Sequence, residues 1–432
     1  MNMRKYLVMM MMAVAGFGLT ACSNDDDKAV SSGTVVVSLT GVTGDMSNIE
    51  ITLRGASTFT AMANAEGKAS FTVTTGVYEA SASGTYAYDG SIYKANGTGG
   101  QVTIQANQTT NVTIEMKEAK TSQVIIKEVY NGGCPKDQGT GAFSNDKCII
   151  LYNNSAQKAV VNNLCIAYTS PYNGHANNKN YGDDGKLSYE AEGFIPAYNG
   201  MWWFQDALTI EPYTQVVVNV SGAIDNTQTY SQSVNYANSD YYAMYDPESG
   251  FANTSWYPVP TAIPESHYLK AKKIGLGNAW SLSNTSPALF IFQTKDVTPA
   301  AFAEDANQLW YDGGGTGAVD ACHKVKNSWI IDGIEVYQST KIADSKKRLT
   351  ADIDAGYVAL TNQQGHTLYR NVDKTATESL AENSGKLVYG YNADPSGIDA
   401  EASIKNGAHI VYLDTNNSTI DFHERQKCSL RK

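Results

Sequence analysis

Short runs of β-branched residues, cut by glycine and asparagine, are the feature that most restricts this chain. Thr34-Val35-Val36-Val37-Ser38-Leu39 lies between Gly33 and Gly41. Ile49-Glu50-Ile51-Thr52-Leu53 and Val112-Thr113-Ile114-Glu115-Met116 alternate apolar with polar. A period of two sends every second side chain to one face, which suits a half-buried strand and not a helix. With strand-length segments at 69–73, 77–82, 91–94 and 101–104, residues 33–117 hold about seven strands, enough for a small β-sandwich. A polar linker follows, and residues 124–432 carry denser apolar runs such as Val124-Ile125-Ile126, Cys148-Ile149-Ile150-Leu151-Tyr152 and Leu164-Cys165-Ile166-Ala167-Tyr168. The expectation is an all-β chain, a small N-terminal β-sandwich followed by a larger one.

Composition narrows the class further. Of 432 residues only 17% are charged, 10% are aromatic and the net charge is -11. A disordered chain would be richer in charge and poorer in rings. The acidic balance argues against a nucleic-acid partner.

The N-terminus supplies an address. Arg4 and Lys5 precede an apolar stretch, residues 6–17, which is too short to span a bilayer. Leu19-Thr20-Ala21-Cys22 then resembles the lipobox of bacterial lipoproteins. The resemblance implies a signal peptide over 1–21 and lipidation at Cys22. Residues 22–32 read as an acidic flexible tether. Ser23, Asp25, Asp26 and Asp27 resemble the surface-export signal of Bacteroidota lipoproteins, implying display on the outer face of the outer membrane.

Two further resemblances concern fold. Asn64-Ala65-Glu66-Gly67 leading into Phe71-Thr72-Val73, with Gly76-Val77-Tyr78 opening the next strand, is similar to the carboxypeptidase-regulatory or prealbumin-like sandwich. Such domains act as stalks. Glu128-Val129-Tyr130, Leu151-Tyr152-Asn153 and Asp332-Gly333-Ile334 occur in the order of a lamin-tail-like, Ig-like sandwich, though Ile150 stands where that family carries Glu. The overall layout resembles an uncharacterised Bacteroidota lipoprotein family of this size.

The larger region departs from a minimal sandwich in its long insertions, residues 169–209 and 221–281. Connections of that length are functional more often than not. Fourteen aromatics fall between Phe194 and Tyr257. Neighbours on a strand face opposite ways, so Trp202-Trp203 and Tyr241-Tyr242 cannot each turn both rings into one core. The rings either roof the sandwich or form a recognition surface for a glycan, small molecule or protein. As binding candidates we take Trp202, Trp203, Phe204, Tyr241, Tyr242, Tyr245, Trp256 and Tyr257.

Chemical motifs are sparse. No zinc-protease, nucleophile-elbow or phosphate-loop pattern occurs, and Asp312-Gly313-Gly314-Gly315 lacks the lysine of a phosphate loop. Asp414-Thr415-Asn416-Asn417-Ser418 offers oxygen side chains at calcium-loop spacing, but Thr419 and Arg425 occupy the glycine and glutamate positions. Asx turns explain it better; calcium is a weakly supported cofactor and no other is implied. At an oxidising surface, Cys134 with Cys148 and Cys165 with Cys322 are candidate disulfides, leaving Cys428 free.

The leading expectation is a non-catalytic surface lipoprotein that captures a nutrient or cofactor beside a TonB-dependent transporter. Adhesion to host or matrix glycan or protein is the second. A glycan-active enzyme using Glu190, Glu192, Asp206 or Asp240 is the third.

Overall fold

Alternation in the first strands is what a two-sheet arrangement buries. A computed structural model describes residues 31–42, 44–88 and 91–431. The signal peptide, Cys22, Ser23, Asp25, Asp26 and Asp27 lie outside the described residues. The chain is all-β, with many short strands and few, short helices. Its contacts divide it into a unit of residues up to 84 plus 95–117 and a unit of 85–94 plus 118–432.

In the first unit, strand Ser32–Thr40 buries Val35, Val37 and Leu39 on one face. It pairs antiparallel with Lys68–Thr74 and parallel with Thr109–Glu115. A second sheet places Thr58–Met62, Ile49–Arg54, Gly76–Tyr88 and Ser91–Ile104 side by side. Two glycines let the sheets close. A Cβ on Gly97 would come within 2.7 Å of Ile114, and one on Gly99 within 2.9 Å of Val112.

The larger unit contains two six-stranded sheets. The first runs Tyr242–Ala243, Gln215–Ser221, Lys147–Asn153, Val124–Tyr130, Thr367–Arg370, Phe422–Arg425. The second runs Lys270–Lys272, Met201–Trp203, Leu164–Tyr168, Ala288–Gln293, Ile330–Gln338, Val358–Leu360. One apolar cluster joins them: Ile126, Ile149, Leu151 and Val218 from the first meet Leu164, Ile166, Leu289 and Ile334 from the second.

The outer faces are covered too, which explains the unbroken apolar runs. In Leu164–Tyr168 the even-numbered residues enter the central cluster, while Cys165 and Ala167 turn outward. There they meet Phe194, Ile195, Ala197 and Val325 of a three-stranded sheet built from Phe194–Tyr198, Ala321–Lys326 and Leu309–Tyr311. On the outer face of the first sheet, Ile125, Tyr152 and Tyr369 are covered by Val372, Ile398, Ile410 and Tyr412. A strand buried on both sides has no polar positions to alternate. Residues 169–209 are therefore not one long loop, because Phe194–Tyr198, Met201–Trp203 and Leu208–Ile210 lie within them as paired strands.

Charge inside this core is arranged unevenly. Arg370 is fully buried and reaches Asp332, Asp414 at 3.4 Å and Asp421 at 3.6 Å. Lys147 is equally buried, but its Nζ donates to the Leu282 carbonyl and lies 5.2 Å from the Trp256 ring, and among the described residues no carboxylate is ion-paired to it. Burial alone pushes the Lys147 ammonium down from 10.5 to about 7.

Two stability predictions follow from this contrast. Arg370→Met leaves buried carboxylates without their cation and should cost about 3–5 kcal/mol in urea unfolding at neutral pH. Acidification, which neutralises the carboxylates, should recover part of that loss. Lys147→Met should do the opposite and stabilise by roughly 1–4 kcal/mol. Between pH 7 and 10.5 the unfolded chain holds the Lys147 proton and the folded chain does not. The wild-type penalty therefore grows as pH falls through that window and is complete below it. The gain in the variant should be largest near pH 7 and vanish towards pH 10.5.

Candidate functional site

The site begins where strand Gln215–Ser221 ends and the chain loops back over the first sheet. Asp225 caps the short turn Asn226–Gln228, accepting from Thr227 N at 3.1 Å and Gln228 Nε2 at 3.0 Å. Ser231 donates through its N–H and hydroxyl to Asp137, at 2.9 and 2.8 Å. Phe143 stacks on Tyr230 with centroids 4.3 Å apart. Asn235 and Asn238 close Asx turns on Ala237 N and Asp240 N. Val234 and Tyr236 anchor the loop in an apolar cluster with Tyr130, Ile150 and Val217. The loop is thus pinned from both sides, although its outer residues are exposed.

The opposite wall is the C-terminal segment. Ser429 donates from its N–H to Glu128 at 3.0 Å, and Arg431 N turns back onto the Cys428 carbonyl at 3.0 Å. Between the walls lies a hollow of about 530 Å³, lined by Ser231, Ser233, Asn235, Asn238, Tyr241, Leu430 and Arg431 among others. A second hollow of about 720 Å³ is lined by Gln232, Gln364, His366, Tyr391 and residues 424–427, and it shares Arg431. Both hollows border the tail and share Arg431, and together they are termed the cleft. Arg425 is held between the rings of Tyr369 and Tyr391, at 4.5 and 4.7 Å. His366 Nδ1 faces Glu424 at 3.1 Å.

The lining is chemically one-sided. It offers hydroxyls, carboxamides, two tyrosines, Arg425, Lys427 and Arg431, with Glu424 as the one carboxylate among the lining residues. In a chain of net charge -11 this is a local excess of donors and cations. Such a surface hydrogen-bonds polyhydroxylated molecules and favours those carrying an acidic group.

Of the eight rings expected to bind, Tyr241 lines this cleft. Trp202, Phe204 and Tyr257 are corrections: their exposures are 0%, 3% and 9%, and all three belong to the central cluster. Trp202 stacks on Phe251 at 5.8 Å and packs against Tyr257 at 5.6 Å. These rings roof the sandwich because its inner faces are wide and need large apolar volume. The neighbours do diverge as strand geometry requires. Trp202 enters the central cluster while Trp203 packs against the outer one. Tyr242 stacks on His267 at 4.3 Å, Tyr245 meets Tyr268 edge-on at 5.3 Å, and Trp256 lies over Lys147.

The expected disulfides are also corrected. Cys134, Cys148, Cys165, Cys322 and Cys428 are all buried free thiols. Cys134 follows the turn at Gly133 into a small hairpin with Ala142–Phe143, and its thiol meets Asp146 and not Cys148. Cys165 and Cys322 stand on different sheets, their thiols directed to the carbonyls of Asn163 and Asp320.

The calcium-like positions are occupied by protein donors. Asp421 accepts from Thr415 N at 2.9 Å and Thr415 Oγ1 at 2.8 Å, and Asn417 caps the helix Ser418–Asp421. Among the described residues no group of three or more His, Cys, Asp or Glu is placed to hold a metal ion. Glu190, Glu192, Asp206 and Asp240 are exposed and line neither hollow.

Sequence reasoning missed the tail. Arg425, Lys427 and Arg431 join His366, Tyr391 and the 227–241 loop only through folding. The cluster of basic residues near the C-terminus is the one signal that pointed to them. The two classes of ring should separate experimentally. Trp202→Ala should lower unfolding stability by about 3–5 kcal/mol, whereas Tyr241→Ala should cost about 1 kcal/mol or less.

Comparison with known proteins places this fold. No curated protein matches the chain. A crystal structure of a DUF4876 family protein from Bacteroides thetaiotaomicron VPI-5482, at 2.50 Å resolution, is similar with a TM-score of 0.56 and 17% identity. The match covers 90% of this chain and 94% of that one, and it is a likeness of fold. The family model described as "Protein of unknown function (DUF4876)" matches residues 211–429, just over half of the chain, taking in the 227–241 loop and the tail up to Ser429 but not Leu430 and Arg431. The chain belongs to the DUF4876 family.

Proposed function

We propose that this protein is a lipid-anchored binding protein of the outer-membrane surface, and that its cleft captures a polyhydroxylated ligand bearing an acidic group. The observation that carries the reading is the lining itself: hydroxyls, carboxamides and guanidinium groups around two hollows that share Arg431, with Tyr241 in one and Tyr391 in the other. Rings and donors of this kind suit the flat faces and hydroxyl edges of sugars. The lipobox at Cys22 and the acidic cluster Ser23, Asp25, Asp26, Asp27 support the address. The small unit, similar to carboxypeptidase-regulatory sandwiches, serves as a stalk for the larger, lamin-tail-like one. The role is non-catalytic nutrient capture beside a TonB-dependent transporter.

Calorimetric titration of the detergent-extracted protein with uronate-containing and neutral oligosaccharides tests the ligand class. Binding should favour the acidic set. Arg431→Ala should weaken it about tenfold or more, the loss expected for a charge-assisted hydrogen bond. Tyr241→Ala should weaken it without a matching loss of melting temperature. Equal indifference to both sets of oligosaccharide would remove the reading. Protease added to intact cells should cut the protein, and Cys22→Ala should release it from the membrane. Co-extraction of a β-barrel partner favours capture for transport, and glycan binding without one favours adhesion.

A further inference from the structure

Two of the five buried thiols share one compartment. Cys148 lies on strand Lys147–Asn153 opposite Tyr130. Cys428 lies in the tail that forms a wall of the cleft. Both are completely buried in the same apolar cluster, with Tyr130, Ile150, Val217 and Tyr236. Burial, and with it the neighbouring Cys148 thiol, pushes the Cys428 thiol well above its ordinary value. The other three thiols face different partners, Asp146 for Cys134 and backbone carbonyls for Cys165 and Cys322. The tail is brought here by the Ser429–Glu128 hydrogen bond and by Leu430 packing on the same cluster.

We propose that Cys148 and Cys428 become joined in a disulfide that fixes the C-terminal wall of the cleft. The proposal rests on the extracytoplasmic address argued above, because a reducing compartment would keep the pair as thiols. Oxidation links the two sulfurs, and their two protons and two electrons pass to the disulfide of a thiol–disulfide oxidoreductase, which leaves as a dithiol. The folded core excludes such an oxidant. Exchange therefore takes place before the tail docks, and docking then shields the bond from reduction. A link between a central strand and the last turn of the chain closes a very long loop, so it restricts the unfolded chain strongly. It also holds Leu430 and Arg431 where the cleft needs them.

The test is thiol mapping of the detergent-extracted protein, denatured in guanidinium with iodoacetamide and no reductant, then digested and analysed by mass spectrometry. Cys134, Cys165 and Cys322 should be alkylated, and the peptides of Cys148 and Cys428 should appear linked. Alkylation at all five, or a Cys134–Cys148 link, would overturn the proposal. The mass of the Cys22 peptide judges the anchor separately, since a lipidated Cys22 beside free Cys148 and Cys428 sinks the disulfide alone. Native trypsin digestion supplies a second readout. Cys428→Ser should lose the tail beyond Arg425 several-fold faster than wild-type protein. Equal rates would overturn the claim that the bond secures the wall.

Discussion

Everything in the larger unit is organised around a buried cation. The Arg370 side chain bonds the Ile126 carbonyl at 2.7 Å and the Leu413 carbonyl at 2.9 Å, and its guanidinium lies 4.5 Å from the Phe422 ring centroid. Its carboxylate partners come from three different places: Asp332 on the second sheet, and Asp414 and Asp421 at either side of the turn before the last strand. Asp332 in turn accepts from Ile126 N at 2.6 Å. A charge removed from water is tolerated only when its partners are complete, so these segments must arrive together. A second buried pair, Glu335 with Arg348 at 2.8 Å, repeats the device on the same strand as Asp332. Asp354 extends it, accepting from Glu335 N at 2.8 Å and from Ser418 Oγ at 2.6 Å.

This arrangement has a functional consequence. The C-terminal stretch is not a trailing end, because Asp414, Asp421 and Phe422 are part of the core around Arg370. Residues 424–431 continue from that fixed point and form a cleft wall. The opposite wall is held differently, by turns whose carboxylates and carboxamides satisfy their own backbone. A cleft between two such walls is preorganised, the condition under which a ligand of the proposed kind would lose little ordering entropy. The Tyr241 ring lines the first hollow while packing against two apolar clusters, whereas Trp202 lies wholly inside the core.

Lys147 and Asp146 show the reverse side of the same physics. Adjacent in sequence, they are buried in different surroundings and do not neutralise each other. Burial raises the Asp146 carboxyl to about 6, moderated by the Tyr130 hydroxyl donating at 2.7 Å, and lowers the Lys147 ammonium to about 7. Both are carried at a cost to stability near neutral pH. Asp146 helps hold the 227–241 loop through Val234 N, so part of that cost goes into positioning one wall of the cleft.

Local pattern determined the all-β class and the positions of several longer strands, because a period of two and β-branched runs act within a few residues. Alternation also separated Trp202 from Trp203 correctly, since strand geometry alone decides it. What pattern could not decide was which face of a strand meets water. Leu164–Tyr168 is buried on both sides by segments far away in sequence, so its apolar run carried no information about layers. The same limit hid the cleft, whose members at 231–241, 366, 391 and 424–431 are assembled by long-range pairing. It also misassigned the cysteines, for sequence spacing favoured Cys134 beside Cys148 while the docked tail set Cys428 there. The sequence by itself determined the fold class and the supply of rings. Only the tertiary structure decided which rings form the core and which residues line the cleft, because burial is a property of the whole chain.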